Sequence, residues 1–176
     1  MTLDFLERED FSGSFREATE ALRFMLAGNA TVTLRSRATG TRYTFKVTRV
    51  QDELPNPRLP FPGDQKAVER AMADAEQQAP RYFVSLLSGP DNESDFVYLG
   101  MVVDNVFRLT RKSRMTSDSL PVRAFTWAFT KLVQRTMPEA LEVWHEGRCG
   151  RCGRKLSVPE SISAGIGPEC AGRMEG

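Results

Sequence analysis

The residue types best suited to bind a metal are concentrated in one segment near the end of this sequence. The segment holds all three cysteines of the chain and its one histidine, in the spacing H-x3-C-x2-C-x17-C. Three thiolates and one imidazole make the Cys₃His ligand set of a closed, four-coordinate structural zinc site. The spacing therefore predicts one structural Zn²⁺ held by His145, Cys149, Cys152 and Cys170.

Other uses of these cysteines fit the sequence less well. Free buried cysteines behave as small hydrophobic residues, a role that does not require all three to lie beside the lone histidine. A redox C-x-x-C is expected near a βαβ pattern, and the preceding sequence shows none. A disulfide framework disagrees with the odd number of cysteines and with the lack of a secretory signal. Redox or free thiols are the alternatives to zinc.

The motifs of common enzymes are absent from the sequence. We therefore expect a protein that is not an enzyme, with no catalytic residues and no small-molecule substrate. Four protein ligands would leave a zinc ion no open position for water or substrate. There is no second histidine for a nucleophilic pair, and neither a P-loop nor a strand followed by G-x-G-x-x-G occurs. The zinc-deaminase pattern also fails, because Glu146 directly follows His145 and the P-C-x-x-C half is missing.

Basic residues are clustered, although the net charge is only +1. Residues 31–50 carry five basic side chains and no acidic one, and residues 106–135 carry seven against a single aspartate. Such local patches can bind a phosphate backbone whatever the overall charge, and a solvated surface is the alternative. The predicted nucleic-acid contacts are Arg35, Arg37, Arg42, Lys46, Arg111, Lys112, Arg114, Arg148, Arg151 and Arg154.

The hydrophobic periods predict an α+β fold with an antiparallel sheet and helices packed on one face, plus a small C-terminal zinc-finger module. We expect two domains, the α+β domain at residues 1–143 and the zinc-binding module at residues 144–176. The expected element order is α-β-β, a proline loop, then α-β-β-β-α-β and the module. Forty per cent apolar residues are enough for a core.

Local signals place the elements of the first half. A capping box from Ser14 to Glu17 predicts the start of a helix. Two-residue alternation over residues 30–50 predicts a β-hairpin with a basic, threonine-rich outer face. Four prolines at residues 55–62 predict a stiff connector, and an apolar stripe predicts a helix over residues 64–78.

The second half is expected to alternate strands and turns before one long helix. Residues 88–94 are dense in turn formers, and Asp104 and Asn105 predict a tight turn between two strands. Ser119 and Pro121 are the expected N-cap and first residue of the helix. A short strand at residues 141–144 is expected to lead into the metal-binding segment.

The segments CGRCGRKL at residues 149–156, PESI at 159–162 and GIGPEC at 165–170 resemble a small zinc-binding domain of unknown function found in many phage and prophage proteins. Upstream motifs, such as SGPDN at residues 88–92, are also similar to uncharacterised phage proteins. The resemblance implies a phage or prophage origin and zinc, and supplies no activity. It implies a shortened treble clef with Cys149 and Cys152 in the knuckle and Cys170 in the first turn of a terminal helix. A full treble clef would have its fourth cysteine at the position of Arg173.

Two functions are expected. One is a nucleic-acid-binding accessory factor. The other is a protein that binds a host defence complex, as an anti-CRISPR protein does, or a transcription complex, through acidic residues 4–10 or the proline loop. The sequence shows no export signal and no membrane-spanning segment, so we expect the cytoplasm, which is that of the host cell if the protein is phage-encoded, and no membrane partner.

Overall fold

A computed structural model describes residues 13–51, 66 and 79–175 of the chain. In this part, seven strands form one antiparallel sheet in the order β1-β7-β2-β3-β4-β5-β6. The strands are β1 (Ser14–Phe15), β2 (Asn29–Ser36), β3 (Arg42–Arg49), β4 (Arg81–Leu87), β5 (Phe96–Val103), β6 (Val106–Arg108) and β7 (Leu141–His145).

Two helices, α1 (Ala18–Met25) and α2 (Leu120–Val133), pack on one face of this sheet. Their apolar stripes meet the inward residues of the strands, and the ring centroids of Phe45 on β3 and Phe125 on α2 lie 4.9 Å apart. Phe24 on α1 is buried as well. The expected α+β class, with an antiparallel sheet and helices on one face, is confirmed.

The opposite face of the sheet carries the polar residues of the alternating strands. In the β2–β3 hairpin, buried Val32 is opposite buried Phe45, whereas the outward hydroxyl oxygens of Thr33 and Thr44 lie 2.8 Å apart. We call this surface the open face. It includes Thr33, Thr44, Lys46, Phe83, Phe96 and Tyr98.

The predicted tight turn and the start of the long helix are confirmed. Asp104 and Asn105 have φ values of 51° and 58° and join β5 to β6, as a two-residue turn with left-handed backbone requires. Ser119 has the extended backbone of an N-cap, and α2 begins at Leu120, so Pro121 is its second residue and not its first as expected. The Ser119 hydroxyl donates to the Thr116 carbonyl instead of capping the helix.

The capping box predicted at Ser14 is wrong. Ser14 and Phe15 form β1, which pairs with Trp144 and Val143 of β7, and helix α1 begins only at Ala18. Pairing with a distant strand therefore determines the backbone conformation of Ser14, and Glu17 takes the N-cap position of the helix. The N-terminal residues 4–10, the proline loop and most of the predicted helix at 64–78 lie outside the described residues.

The C-terminal segment contains two short helices, α3 (Pro159–Ala164) and α4 (Pro168–Met174), after strand β7. Because β7 is hydrogen-bonded between β1 and β2 as far as His145, the boundary expected after residue 143 falls inside a strand of the sheet. None of the described helices is long and apolar enough to span a bilayer.

Candidate metal centre and cationic cleft

The three cysteine sulfurs come together in the C-terminal segment. The Sγ atoms of Cys149, Cys152 and Cys170 all lie within 4.8 Å of one another. Sulfurs at the corners of a tetrahedron, each about 2.3 Å from a zinc ion, would be about 3.8 Å apart. The three thiols therefore fit one metal ion, as the sequence predicts for these three ligands.

Local backbone geometry brings the sulfurs into range. A tight turn follows Cys149, whose amide donates to the Arg154 carbonyl and whose carbonyl accepts from the Gly153 amide. Gly153 has a φ of 76°, a conformation that glycine adopts without a Cβ penalty. Cys170 lies in the first turn of α4, which begins at Pro168. These positions agree with the knuckle and terminal helix that the sequence resemblance implies.

The surroundings of two sulfurs affect their protonation in opposite directions. Burial raises the pKa of the Cys149 thiol, but hydrogen bonds from the backbone amides of Gly167, Cys152 and Arg151 outweigh burial and lower this pKa to about 7. Burial, together with contacts to the other two sulfurs, raises the pKa of Cys170 to about 11. Three adjacent thiolates repel one another, and a divalent cation would relieve that repulsion.

His145 does not join this cluster, so the structure brings together three of the four predicted ligands. The Gly147 amide donates to Nδ1 at 2.9 Å, and Nε2 lies 2.7 Å from the Ile162 carbonyl, which can only accept. Both ring nitrogens are therefore used in backbone hydrogen bonds, and neither has a lone pair free for a metal. Burial lowers the pKa of His145 and so favours the neutral ring. The hydrogen bond with Ile162 has the opposite, smaller effect and raises this pKa.

The placement of His145 bears on the number of ligands. Within the described residues, no histidine or carboxylate is grouped with the three sulfurs, so the chain supplies three identified ligands and not four. It is therefore no longer given that protein ligands would leave a zinc ion no open position for water or substrate.

An aromatic cluster attaches the cysteine segment to the sheet. The ring centroids of Phe15, Phe24 and His145 are 5.1 to 5.3 Å apart. Gly150 and Gly165 pack so closely on Phe24 that an added Cβ would come within 2.7 and 2.6 Å of its ring. The main chain adds hydrogen bonds, since the Asn29 amide donates to the Gly150 carbonyl at 2.6 Å and the Gly150 amide to the Gly165 carbonyl at 2.9 Å.

A cleft of about 1090 Å³ lies between the sheet and the cysteine segment. Its positive side chains come from both sides, Lys46 and Arg49 from β3, Arg151 from the knuckle and Arg173 from α4. No carboxylate among the described residues lines the cleft or forms an ion pair with these four side chains. We call this site the cationic cleft. Phe83 of β4 and Thr48 of β3 also line it.

Two residues of the predicted basic set line the cationic cleft, namely Lys46 and Arg151. Two others share one carboxylate of β7, since Arg35 and Arg37 lie 3.3 and 3.4 Å from the oxygens of Glu142. The remaining six are all exposed and lie outside the cleft lining. They are Arg42 on β3, Arg111, Lys112 and Arg114 after β6, Arg148 beside the knuckle, and Arg154, which is 3.8 Å from Glu169.

Sequence reasoning missed three of the cleft residues, Arg49, Arg173 and Phe83. The two-residue alternation of β3 places Arg49 on the same side as the buried residues Phe45 and Val47. Arg49 is nevertheless exposed, because the strand ends at this residue. Arg173 occupies the position where a full treble clef has a cysteine, and its sequence context gives no sign of a role as a cation. The alternation of β4 does indicate that Phe83 faces outward, between buried Tyr82 and Val84.

Comparison with known families covers only the end of the chain. Residues 140–175 match DUF6011, a family of unknown function. The matched range includes β7, the three cysteines and both helices of the C-terminal segment. No curated protein and no solved structure matches the chain. The DUF6011 match therefore identifies the segment that builds the sulfur cluster and assigns it no activity.

Proposed function

We propose that this protein binds nucleic acid in the cationic cleft and that a structural Zn²⁺ at the three cysteines holds one side of the cleft in place. In this proposal the protein is not an enzyme. The phage or prophage origin that its sequence resemblance implies stays a prediction, since the DUF6011 description names no source.

Zinc is the metal that best fits the cysteine cluster. Thiolates are soft ligands, and tetrahedral sulfur sites select zinc over magnesium or calcium, which prefer oxygen ligands. Cys149 and Cys152 lie in the knuckle and Cys170 lies in α4, so one ion would join two separate parts of the segment. That arrangement supports a structural role, because metal binding and folding of such a small unit are coupled.

The observation that carries the proposal is the composition of the cationic cleft. Four positive side chains from two different parts of the fold converge on one concavity without a paired carboxylate among the described residues. Like charges held together in this way, with no carboxylate partner in the described part of the chain, favour an anionic ligand. The cleft is as large as the largest pockets that hold small ligands, and its cations lie on both sides of it. Both properties suit an extended phosphate backbone.

The alternative partner, a host protein complex, was expected to contact residues 4–10 or the proline loop. Both segments lie outside the described residues, and no contact found in the structure favours that function. Binding to a host complex therefore stays a prediction from the sequence.

Binding can be measured by fluorescence anisotropy with zinc-loaded protein and labelled single-stranded and duplex DNA and RNA, starting at about 50 mM salt. For a single strand that contacts all four cations, the logarithm of the binding constant should fall with log salt at a slope of about −3. Arg49→Glu and Arg173→Glu should each weaken binding roughly tenfold or more at about 0.1 M salt, because each removes a phosphate contact.

Arg123→Glu is the matched control, since Arg123 is an exposed residue of α2 outside the cleft lining. This variant carries the same change of charge and should bind as the unmodified protein does. The proposal is wrong if none of the four nucleic acids binds at low salt, or if Arg123→Glu weakens binding as much as Arg49→Glu.

A further inference from the structure

We infer that the ligand is a single-stranded nucleic acid whose unpaired bases stack on aromatic side chains of the open face, beginning at Phe83. This inference rests on the proposed function and specifies the form of nucleic acid that the cleft accepts. The supporting observations are the exposure, contacts and location of three aromatic rings.

Phe83 offers an accessible ring at the edge of the cationic cleft. It is 40% exposed, although its neighbours Tyr82 and Val84 are buried. Its ring lies 5.8 Å from that of Tyr98 on β5, in an edge-to-face arrangement with an interplanar angle of 79°. The Tyr98 hydroxyl in turn is 3.3 Å from the Thr110 hydroxyl, which fixes the supporting ring. Phe83 is thus held in place from one side and remains accessible.

A third ring connects the aromatic residues to the positive charge. The Nζ atom of Lys46 lies 5.6 Å from the centroid of the Phe96 ring, and Lys46 also lines the cationic cleft. Lys46 is opposite Ser85 of β4, and Ser85 is opposite Tyr98 of β5, so the cation and the rings share the open face. A phosphate at Lys46 would therefore lie next to bases over Phe83, Phe96 and Tyr98.

This combination differs from the scattered exposed hydrophobic residues of ordinary protein surfaces. Single exposed apolar side chains are common and need no functional explanation. Here the exposed ring contacts a second aromatic ring and lines a cleft whose four cations have no carboxylate partner among the described residues. Basic grooves that follow the backbone, combined with aromatic side chains that stack on bases, are the usual means of binding single strands.

A duplex would not use this surface in the same way. In a double helix the flat faces of the bases are stacked on each other, and only their edges are accessible in the grooves. An aromatic side chain on a sheet can stack only on a base that is unpaired or displaced. The open face should therefore favour single strands over duplexes of the same sequence.

The test is a comparison of Phe83→Ala with Trp127→Ala in anisotropy titrations with labelled single-stranded and duplex oligonucleotides. Trp127 is the matched control because it is 46% exposed, lies on α2 against the other face of the sheet, and does not line the cleft. Phe83→Ala should weaken single-strand binding roughly 5- to 100-fold, the range found for one lost stacking contact. Its salt slope should stay the same, because no phosphate contact is removed.

Phe83→Trp should retain single-strand binding, which separates loss of stacking from loss of folding. The melting temperatures of Phe83→Ala and Trp127→Ala show whether both variants are folded. The inference is overturned if folded Phe83→Ala binds single strands as tightly as the unmodified chain. It is also overturned if duplexes bind as tightly as single strands. Either result leaves the proposed function standing, whereas a lack of binding to any nucleic acid contradicts the proposed function itself.

Discussion

At the residue scale, His145 and Cys149 lie close together in sequence but in different chemical surroundings. His145 packs against the rings of Phe15 and Phe24 and has both nitrogens in backbone hydrogen bonds. Cys149 is buried next to two other thiols and accepts a hydrogen bond from the Gly167 amide at 3.4 Å. The histidine therefore packs at the junction with the sheet, and the three cysteines form a cluster that could hold a metal ion.

This difference predicts which substitutions release the metal. His145→Gln should retain about one zinc per chain, and it should lower the free energy of unfolding by about 1 to 3 kcal/mol, because buried backbone groups lose a well-placed partner. Cys170→Ser should lose the metal at the same free-zinc concentration, because one of three thiolates is gone. Metal content measured by elemental analysis after dialysis, together with a denaturant titration of each variant, checks both outcomes.

A folded His145→Gln protein that loses its zinc as completely as Cys170→Ser would show that His145 is a ligand after all. The sequence could predict the three cysteines because their type and spacing are specific for a metal. It could not exclude the histidine, since the hydrogen bonds that occupy its nitrogens come from Gly147 and from Ile162, in a helix that follows the knuckle.

At the element scale, the cysteine segment depends on close packing against helix α1. Gly165 ends α3 with a φ of 69° and lies where a Cβ would come within 2.6 Å of the Phe24 ring and 3.0 Å of the Phe15 ring. Phe24 is fully buried, so its ring has little space to move. Gly165 therefore both terminates α3 and allows the cysteine segment to pack closely on Phe24 and Phe15.

Gly165→Ala should destabilise the metal-loaded chain by about 2 to 4 kcal/mol, from a left-handed alanine and an overpacked ring. Gly172→Ala is the matched control, because an added Cβ at Gly172 in α4 meets no atom within 4 Å. In that helix the control should be neutral or raise stability by up to about 1 kcal/mol. The melting temperatures of the two variants measure the difference. Equal melting temperatures would contradict this account of the packing.

Elements with strong local signals were predictable, and elements fixed by distant partners were not. The alternation of β2 and β3 and the Asp104–Asn105 turn depend on neighbouring residues, and their predicted positions are confirmed. Ser14 has the sequence of a helix cap, but it pairs with Trp144 at the other end of the domain. Pairing between strands so far apart cannot be inferred from a local motif.

At the scale of the whole molecule, the cationic cleft exists only because the sheet and the cysteine segment meet. Lys46 and Arg49 come from β3, whereas Arg151 and Arg173 lie near the clustered cysteines in sequence. The basic blocks of the sequence indicated a polyanion partner but not which cations face it. Arg35 and Arg37 lie outside the cleft lining and share the single carboxylate of Glu142, on the distant strand β7.

The central claim is that the metal-bound segment and the sheet together form the binding site. Its most direct test is the affinity for a labelled single strand, measured by anisotropy on one protein sample before chelation, after chelation and after zinc is restored. We expect chelation to weaken binding roughly tenfold or more and to reduce the salt slope from about −3 to about −1.5, because Arg151 and Arg173 lose their fixed positions. Added zinc should restore both values. Unchanged affinity and slope in the metal-free chain would contradict the claim.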